Sequence, residues 1–500
     1  MRQLEDLSPF LRSRAHLLGE PEAIRMLHVR SEQSQNLRRL LLRGATVLIV
    51  GGGPESKLRF FRHLASLHVA LYLMDCPHGV WPAIVKSPDS PFRAFFPADL
   101  SDLPALARNA RAAINAASGA PPRFDAVFTF FELYVQHAAR VHRALSPGRD
   151  YTPFADCARS KAATREALVA NCIPTPRYHK ITGLSDVPIA CAHVGFPAVL
   201  KPVSGVFSVG VVNVRTEAEV RSAVQQALGL GGSSLENNQK TANLVRLVNK
   251  SEQHEMILEQ FLDGPEFDVD ILFNNGEAVY ERVVDNWAFE PPWCQDCGLQ
   301  GPSRFSRRRQ QELVDMAVRC AKAVGAVDGV VHAELRYTNE GPRLIEVNAR
   351  MGGAAIFDLH QRVWGVDLVE NHCMIMCGIP IRPMARETPL CHLSCIILYA
   401  PYSGQVTSER WLDFLLDDNR VIKVVHEKEK GAIVNGPEDS APDWVGQVHI
   451  VGKTCQEVDE LVKDIVTWQA PVPIRAKEAG RERRYFFPGD QFPFLHSHRL

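Results

Sequence analysis

Residues 344 to 353 read LIEVNARMGG and place a carboxylate, an amide and a guanidinium two residues apart: Glu346, Asn348 and Arg350. Successive side chains of a strand alternate between faces, so these three share one. The run just before it, HAELRYTNEGPR, supplies a second strand and a cluster of turn-formers, which makes the pair a hairpin. With the turn centred near Glu340, Glu334 lies opposite Glu346 and His332 opposite Asn348; a one-residue slip or a bulge would break that register. Carboxylates opposed across antiparallel strands stand about 5 Å apart at Cβ and repel. A divalent cation between them removes the repulsion. Two carboxylates and an amide oxygen, completed by water or phosphate, form the hard oxygen shell that suits Mg²⁺ held with a nucleotide. The competing interpretation is a solvated polar face, but both strands are otherwise strongly apolar. Gly352 and Gly353 follow on the same side, open enough for a substrate to approach.

A second constellation is the loop PVSGVFSVG. Gly205 and Gly210 let backbone N–H groups come close to phosphate oxygens, and Ser204 and Ser208 add donors. Lys201, ending the apolar run AVLK, is the matching cation. The loop lacks the GK[ST] ending of a P-loop. Nearer the N-terminus, GATVLIVGGGPESKLRF reads as a buried strand, a glycine turn and a helix, the opening of an α/β unit. Gly51-Gly52-Gly53-Pro54 is not GxGxxG, so the turn is structural and hydride chemistry is not expected. Glu132 sits at the end of a later strand of that unit, where such sheets collect ligands; a substrate contact and a solvated carboxylate are equally open. Cys294 and Cys297 form a CxxC with no second ligand pair at zinc spacing, so the twelve cysteines read as reduced thiols.

Five hundred residues are too many for one core, so several domains must position these groups. Residues 1–40 read as an amphipathic helical appendage, 41–150 as a doubly wound α/β domain, and 151–380 as the domain carrying both constellations. Within the last, about 175–262 forms a small lobe and 263–380 a large one. Residues 381–500 form a C-terminal α+β region and tail, and 228–250 a polar surface excursion. Hydrophobic content of 46%, charged content of 23% and a net charge of -1 are those of a globular chain with no electrostatic case for nucleic acid or membrane. No apolar run approaches the roughly 18 residues of a spanning helix, and the N-terminus is not a signal peptide. A cytoplasmic protein is expected.

The series Lys161, VLKP, the Gly/Ser loop, EQFLDGPEFDVDI, HAELRY and LIEVNARMGG resembles the ATP-grasp carboxylate–amine ligases over roughly residues 45 to 380. Within that superfamily the segments ELRYTNEGPRLIEVNARMGG, VDNW and VWGVDLVENHCMIMCGIPIRP are most similar to the branch of carnosine synthases and bacterial dipeptide ligases. The resemblance implies an ATP-grasp fold with a Rossmann-like pre-ATP-grasp domain, and ATP with Mg²⁺, or Mn²⁺ in its place, as cofactors. It implies that Lys161 and Lys201 contact nucleotide phosphates. Glu259 would open the hinge whose backbone at Gln260, Phe261 and Leu262 binds adenine, and Glu266 would hold the ribose. Glu334, Glu346 and Asn348 would hold the metal, and Arg350 the γ-phosphate and the acyl phosphate made from it. Asn286, in VDNW, becomes a substrate candidate; His332 is open between a base and a structural histidine. The implied reaction joins a carboxylate to an amine with release of ADP, the expected partners being small amino-acid substrates, with a homo-oligomer allowed. Segment 288–305 and the 228–250 excursion depart from the family pattern. A ligase of another acid and amine, or a nucleotide-binding scaffold without catalysis, are the alternatives.

Overall fold

The computed structural model describes residues 8–18, 21–116, 123–145, 148–206, 208–228, 255–288, 295–437, 442–467 and 473–476. The 228–250 excursion beyond Leu228, Cys294 and the C-terminal tail lie outside these.

Where one amphipathic helix was expected at the N-terminus, four short ones occur among the described residues: Pro9–Ser13, Ala15–Leu18, Pro21–Met26 and Glu32–Leu42. Pro21, at the first position of the third, accounts for the break before it, since proline suits the first helical turn and disrupts an interior one. Phe10, Leu11, Leu18 and Leu27 are buried in the same core as the first sheet.

That sheet is parallel: β1 (Thr46–Val50), β2 (Ala70–Asp75), β3 (Phe92–Pro97) and β4 (Ala126–Phe128), in the order β3-β2-β1-β4. β2 is buried along its whole length and β1 along all but its first residue, as a sheet covered on both faces requires. The glycine turn after β1 is filled by aromatic rings. A Cβ on Gly51 would fall 1.9 Å from Tyr134, one on Gly52 2.2 Å from Trp81, and one on Gly53 2.9 Å from Phe131. The turn is structural, as its sequence indicated.

A second, antiparallel sheet holds β5 (Tyr178–Ile181), β6 (Ala198–Pro202), β7 (Val212–Val214) and β8 (Met256–Gln260), in the order β5-β8-β6-β7. Helices Val187–Val194 and Glu217–Ala227 bury Val187, Ala190, Val194, Val220 and Val224 against it.

The largest sheet contains β9 (Glu266–Asn274), β10 (Glu277–Ala288), β11 (Asp296–Gly301), β12 (Gly329–Thr338), β13 (Gly341–Asn348) and β14 (His392–Tyr399). Of the strands that follow, β15 (Gly404–Val406), β17 (Ile433–Val434) and β19 (Ile474–Ala476) form a small sheet, whereas β16 (Val421–His426) and β18 (Trp444–Gly452) join the large one. Its order is β13-β12-β9-β10-β11-β14-β18-β16, so strands from beyond residue 380 continue the sheet that carries the hairpin. Among the described residues no helix is long and apolar enough to cross a membrane.

Candidate active site

The opening hairpin is β12–β13, and it sets Glu334 opposite Glu346 and His332 opposite Asn348. The turn itself is centred half a residue earlier than the sequence count assumed, with Thr338 opposite Gly341. A register shift beyond Glu334 leaves Ile345 as an extra residue on β13 and restores the pairing.

The two carboxylates are not equivalent. Glu346 Oε2 lies 2.9 Å from Lys161 Nζ. Burial works against its charge, but Lys161 and the Asn348 amide hold its carboxyl far below the usual range. Among the described residues Glu334 has no lysine partner, and its Oε1 lies 3.7 Å from His332 Nε2. Burial, then Glu346, Asp296 and Asp268, push its carboxyl well above the usual range. Asn348 Nδ2 donates to Glu346 Oε1 at 3.0 Å and to Glu334 Oε1 at 3.3 Å, standing between them as a neutral donor. Two carboxylates, one of them crowded, fit Mg²⁺, and a turn of the Asn348 amide that brings Oδ1 in place of Nδ2 would complete an oxygen-only set. Among the described residues no group of three or more His, Cys, Asp and Glu side chains is arranged round a common point, so the protein's share of such a shell is these two carboxylates and one amide.

Lys161 opens helix Lys161–Ala170, whose N-cap Ser160 accepts from Ala163 N at 3.2 Å. Lys201 is the penultimate residue of β6 and is buried; its Nζ lies 2.6 Å from Glu259 Oε2. Glu259 also takes Arg165 through Nε at 2.8 Å and Nη2 at 3.0 Å. Burial opposes its charge, and Arg165 and Lys201 override that, holding its carboxyl at about 2. Its side chain therefore anchors Lys201 from inside the lobe. Arg165 donates further to Ile345 O at 2.7 Å, which ties this ion group to the bulge of β13.

The hinge follows. Gln260 N donates to Arg177 O and Phe261 N to Pro197 O; Leu262 O accepts from Arg336 Nη1 at 3.1 Å. Arg336 also pairs with Glu266 at 3.0 Å. In the Gly/Ser loop, Ser204 Oγ donates to Arg159 O at 2.9 Å and Gly205 O accepts from Arg159 Nη1 at 3.1 Å. Ser208 and Gly210 have φ of 54° and 77°, and both are exposed.

Glu132 is buried immediately after the parallel sheet. It lies 3.2 Å from Arg159 and 2.8 Å, through Oε2, from Arg350 Nε, so it joins the first domain to both constellations. Arg350 also donates to Met351 O at 2.9 Å. A Cβ on Gly352 would stand 2.7 Å from His332 Nδ1, so this glycine makes room for the imidazole, whereas Gly353 faces open space.

Sequence reasoning missed the buried polar chain under the hairpin. His332 Nδ1 meets Asp270 Oδ1 at 3.0 Å, Asp270 Oδ2 meets His360 Nε2 at 3.0 Å, and His360 Nδ1 meets the Tyr280 hydroxyl at 2.6 Å. Burial disfavours the charged imidazole of His332, yet Asp270 and Asp268 raise it to about 9. Asn286 donates to Asp268 at 3.1 Å and Asp296 at 3.4 Å. Burial pushes those two carboxyls up to about 7 and about 8. The alternation DVD in β9 held the signal, since Asp268 and Asp270 share a face with Glu266.

Residues 194–358 match the family model described as ATP-grasp domain. The chain carries an ATP-grasp domain. The match spans the Gly/Ser loop, the hinge and the hairpin. The chain is 25% identical over 373 residues to carnosine synthase 1 of Homo sapiens, covering 70% of this chain and 42% of that protein. It is 31% identical over 232 residues to the uncharacterized protein y4rH of Sinorhizobium fredii, covering 46% of this chain and 44% of that one. The matched region thus spans less than half the length of these curated relatives. The L-amino acid ligase structure from Bacillus licheniformis superposes with a TM-score of 0.67 at 20% identity, covering 85% of this chain and 97% of that one. The fold is the ATP-grasp fold.

Proposed function

We propose that this chain is an ADP-forming ligase that joins a carboxylate to an amine through an acyl phosphate, with amino acids as its substrates. The observation that carries the reading is the opposed pair Glu334–Glu346 with Asn348 between, flanked by Lys161 and Arg350. A carboxylate does not acylate an amine directly, because its leaving group is poor. Phosphorylation by ATP breaks the γ-phosphoryl bond, releases ADP and gives an acyl phosphate; the amine then attacks the carbonyl and phosphate departs. The first step needs mainly positioning and charge neutralisation. Lys161, Lys201 and the loop residues Ser204, Gly205, Ser208 and Gly210 are assigned to the nucleotide phosphates, and Leu262 and its neighbours with Glu266 to the nucleoside. Arg350 is assigned to the phosphoryl group in flight. Glu334, Glu346 and Asn348 would hold Mg²⁺, which when bound supplies charge neutralisation at the phosphates.

The likeness to carnosine synthase 1 and to an L-amino acid ligase supports dipeptide formation, such as β-alanine with histidine. The test is incubation with Mg-ATP across pairs of common amino acids including β-alanine, with chromatography of the nucleotides. ADP and phosphate are expected. Accumulation of AMP and pyrophosphate would sink the acyl-phosphate mechanism.

A further inference from the structure

In the parallel sheet the strand order reverses between β1 and β4, and open α/β sheets take their ligands in the crevice at such a point. The β1 side of this crevice carries the glycine turn and then Lys57; the β4 side carries Glu132. Two contacts hold the turn that carries Lys57 beside the segments of Glu132 and Arg350. Gly53 packs on Phe131, the residue before Glu132, with a hypothetical Cβ only 2.9 Å from Phe131 Cβ. Arg59, two residues after Lys57, donates to Ala354 O at 3.2 Å and to Asp358 at 2.6 Å, fastening the turn to the segment that follows Arg350.

The neighbouring guanidinium groups have anions: Arg350 and Arg159 share Glu132, and Arg59 has Asp358. Lys57 is half-buried, with its ammonium 5.2 Å from the Phe60 ring centroid, and it has no carboxylate partner among the described residues. Burial, then the charges of Arg350 and Arg59, press its amine down to about 7. A crowded, partly desolvated cation at a ligand crevice is an arrangement completed by an anion from outside.

We propose that Lys57 binds the spectator carboxylate of the amine substrate, so that the acceptor is an amino acid and not a plain amine. This rests on the ligase reading above. The nucleotide phosphates and the phosphoryl group in flight are already assigned to Lys161, Lys201 and Arg350, all from beyond the first domain. Lys57 comes instead from the first domain and leaves its charge for a group that takes no part in bond-making. A compact ammonium is suited to one carboxylate.

The test is steady-state ADP release by the full chain with Mg-ATP and an acid substrate. The acceptors are matched pairs that differ by a carboxylate: alanine against ethylamine and histidine against histamine. Lys57→Met should raise the KM for the amino-acid acceptor at least tenfold, leave the KM for ATP within twofold, and erase the preference for the carboxylate-bearing member of the pair. Lys57→Arg should retain most of that preference. Methionine conserves volume and removes repulsion from Arg350 and Arg59, so the melting temperature should hold or rise, and a folding defect would show there. An equal rise in the KM for ATP would assign the anion to the nucleotide and overturn the proposal, as would an undiminished preference in Lys57→Met. No ADP release by the unaltered protein with any acid–amine pair would overturn the ligase reading itself, and this inference with it.

Discussion

Arg350 has three neighbours: Glu132 Oε2 2.8 Å from Nε, Met351 O accepting from Nη1 at 2.9 Å and Asn348 Oδ1 3.5 Å from Nη2. A residue needed only to balance charge would tolerate lysine in its place. A fork that clasps two phosphoryl oxygens would not, because an ammonium cannot reproduce two parallel hydrogen bonds. Interactions that strengthen as charge moves in the transition state weigh on kcat more than on binding. Arg350→Lys is therefore expected to lower kcat by about 10²–10³, the scale found for loss of a preorganised donor at a developing charge, while ATP affinity changes by less than roughly tenfold. Single-turnover kinetics with a nucleotide titration separate the two, and near-normal kcat would remove Arg350 from phosphoryl transfer. The type and spacing of Arg350 were legible in the sequence. Its partner Glu132 was visible only as a strand-end carboxylate, because 218 positions separate two residues that the fold brings to 2.8 Å.

At the scale of elements, the β12–β13 hairpin shows how much a pattern can carry. Period-two alternation put Glu346, Asn348 and Arg350 on one face, and counting from the turn put Glu334 opposite Glu346. The count succeeded because the bulge at Ile345 offset a turn centred half a residue away; nothing in the local sequence announces that bulge. Alternation also says nothing of unequal surroundings. Lys161 stabilises Glu346, whereas Glu334 faces carboxylates. The signs follow. A carboxyl raised on folding, such as Glu334, costs stability as pH rises past its ordinary range, while a lowered one, such as Glu346, contributes stability above that range. In the metal-free protein at pH 7.5, Glu334→Gln should thus raise stability by about 1 kcal/mol, within the scale of a relieved cross-strand repulsion. Glu346→Gln should lower stability, because Lys161 loses its partner. Both should abolish turnover with Mg-ATP. Denaturant titration of the two variants decides it: equal and opposite-to-expected shifts would mean that the pair is not in tension.

Over the whole molecule, the sequence disclosed the layers but not how they lock. β1 was legible as an apolar run, and the Gly/Ser loop as a cover between strands. The N-terminal helices were not placed, because their anchors lie far along the chain: Arg39 pairs with Glu370 at 2.5 Å, and Ser8 Oγ donates to Gly378 O at 3.1 Å. The same long-range packing buries two histidines away from the hairpin. His372 lies under Phe128 and Phe130, and His449 sits on β18 in the interior. Burial presses both imidazoles from 6.5 down to about 3, with Lys423 adding to the effect at His449. Each is neutral in the folded state, whereas the unfolded chain takes up a proton below pH 6.5. Their contribution is intact above pH 6.5 and is lost as pH falls from there toward 3. Between pH 6.5 and 5.5 each should cost roughly 1 kcal/mol, since a proton bound only by the unfolded chain lowers the unfolding free energy by about 1.4 kcal/mol for each step of one in pH. His449→Gln, neutral at both pH values, should reduce the fall in unfolding free energy over that interval by about that amount, whatever its effect at pH 7.5. An unchanged acid limb in this variant would mean that His449 is already protonated in the folded protein, and that Asp358, 3.5 Å from its Nδ1, outweighs burial there.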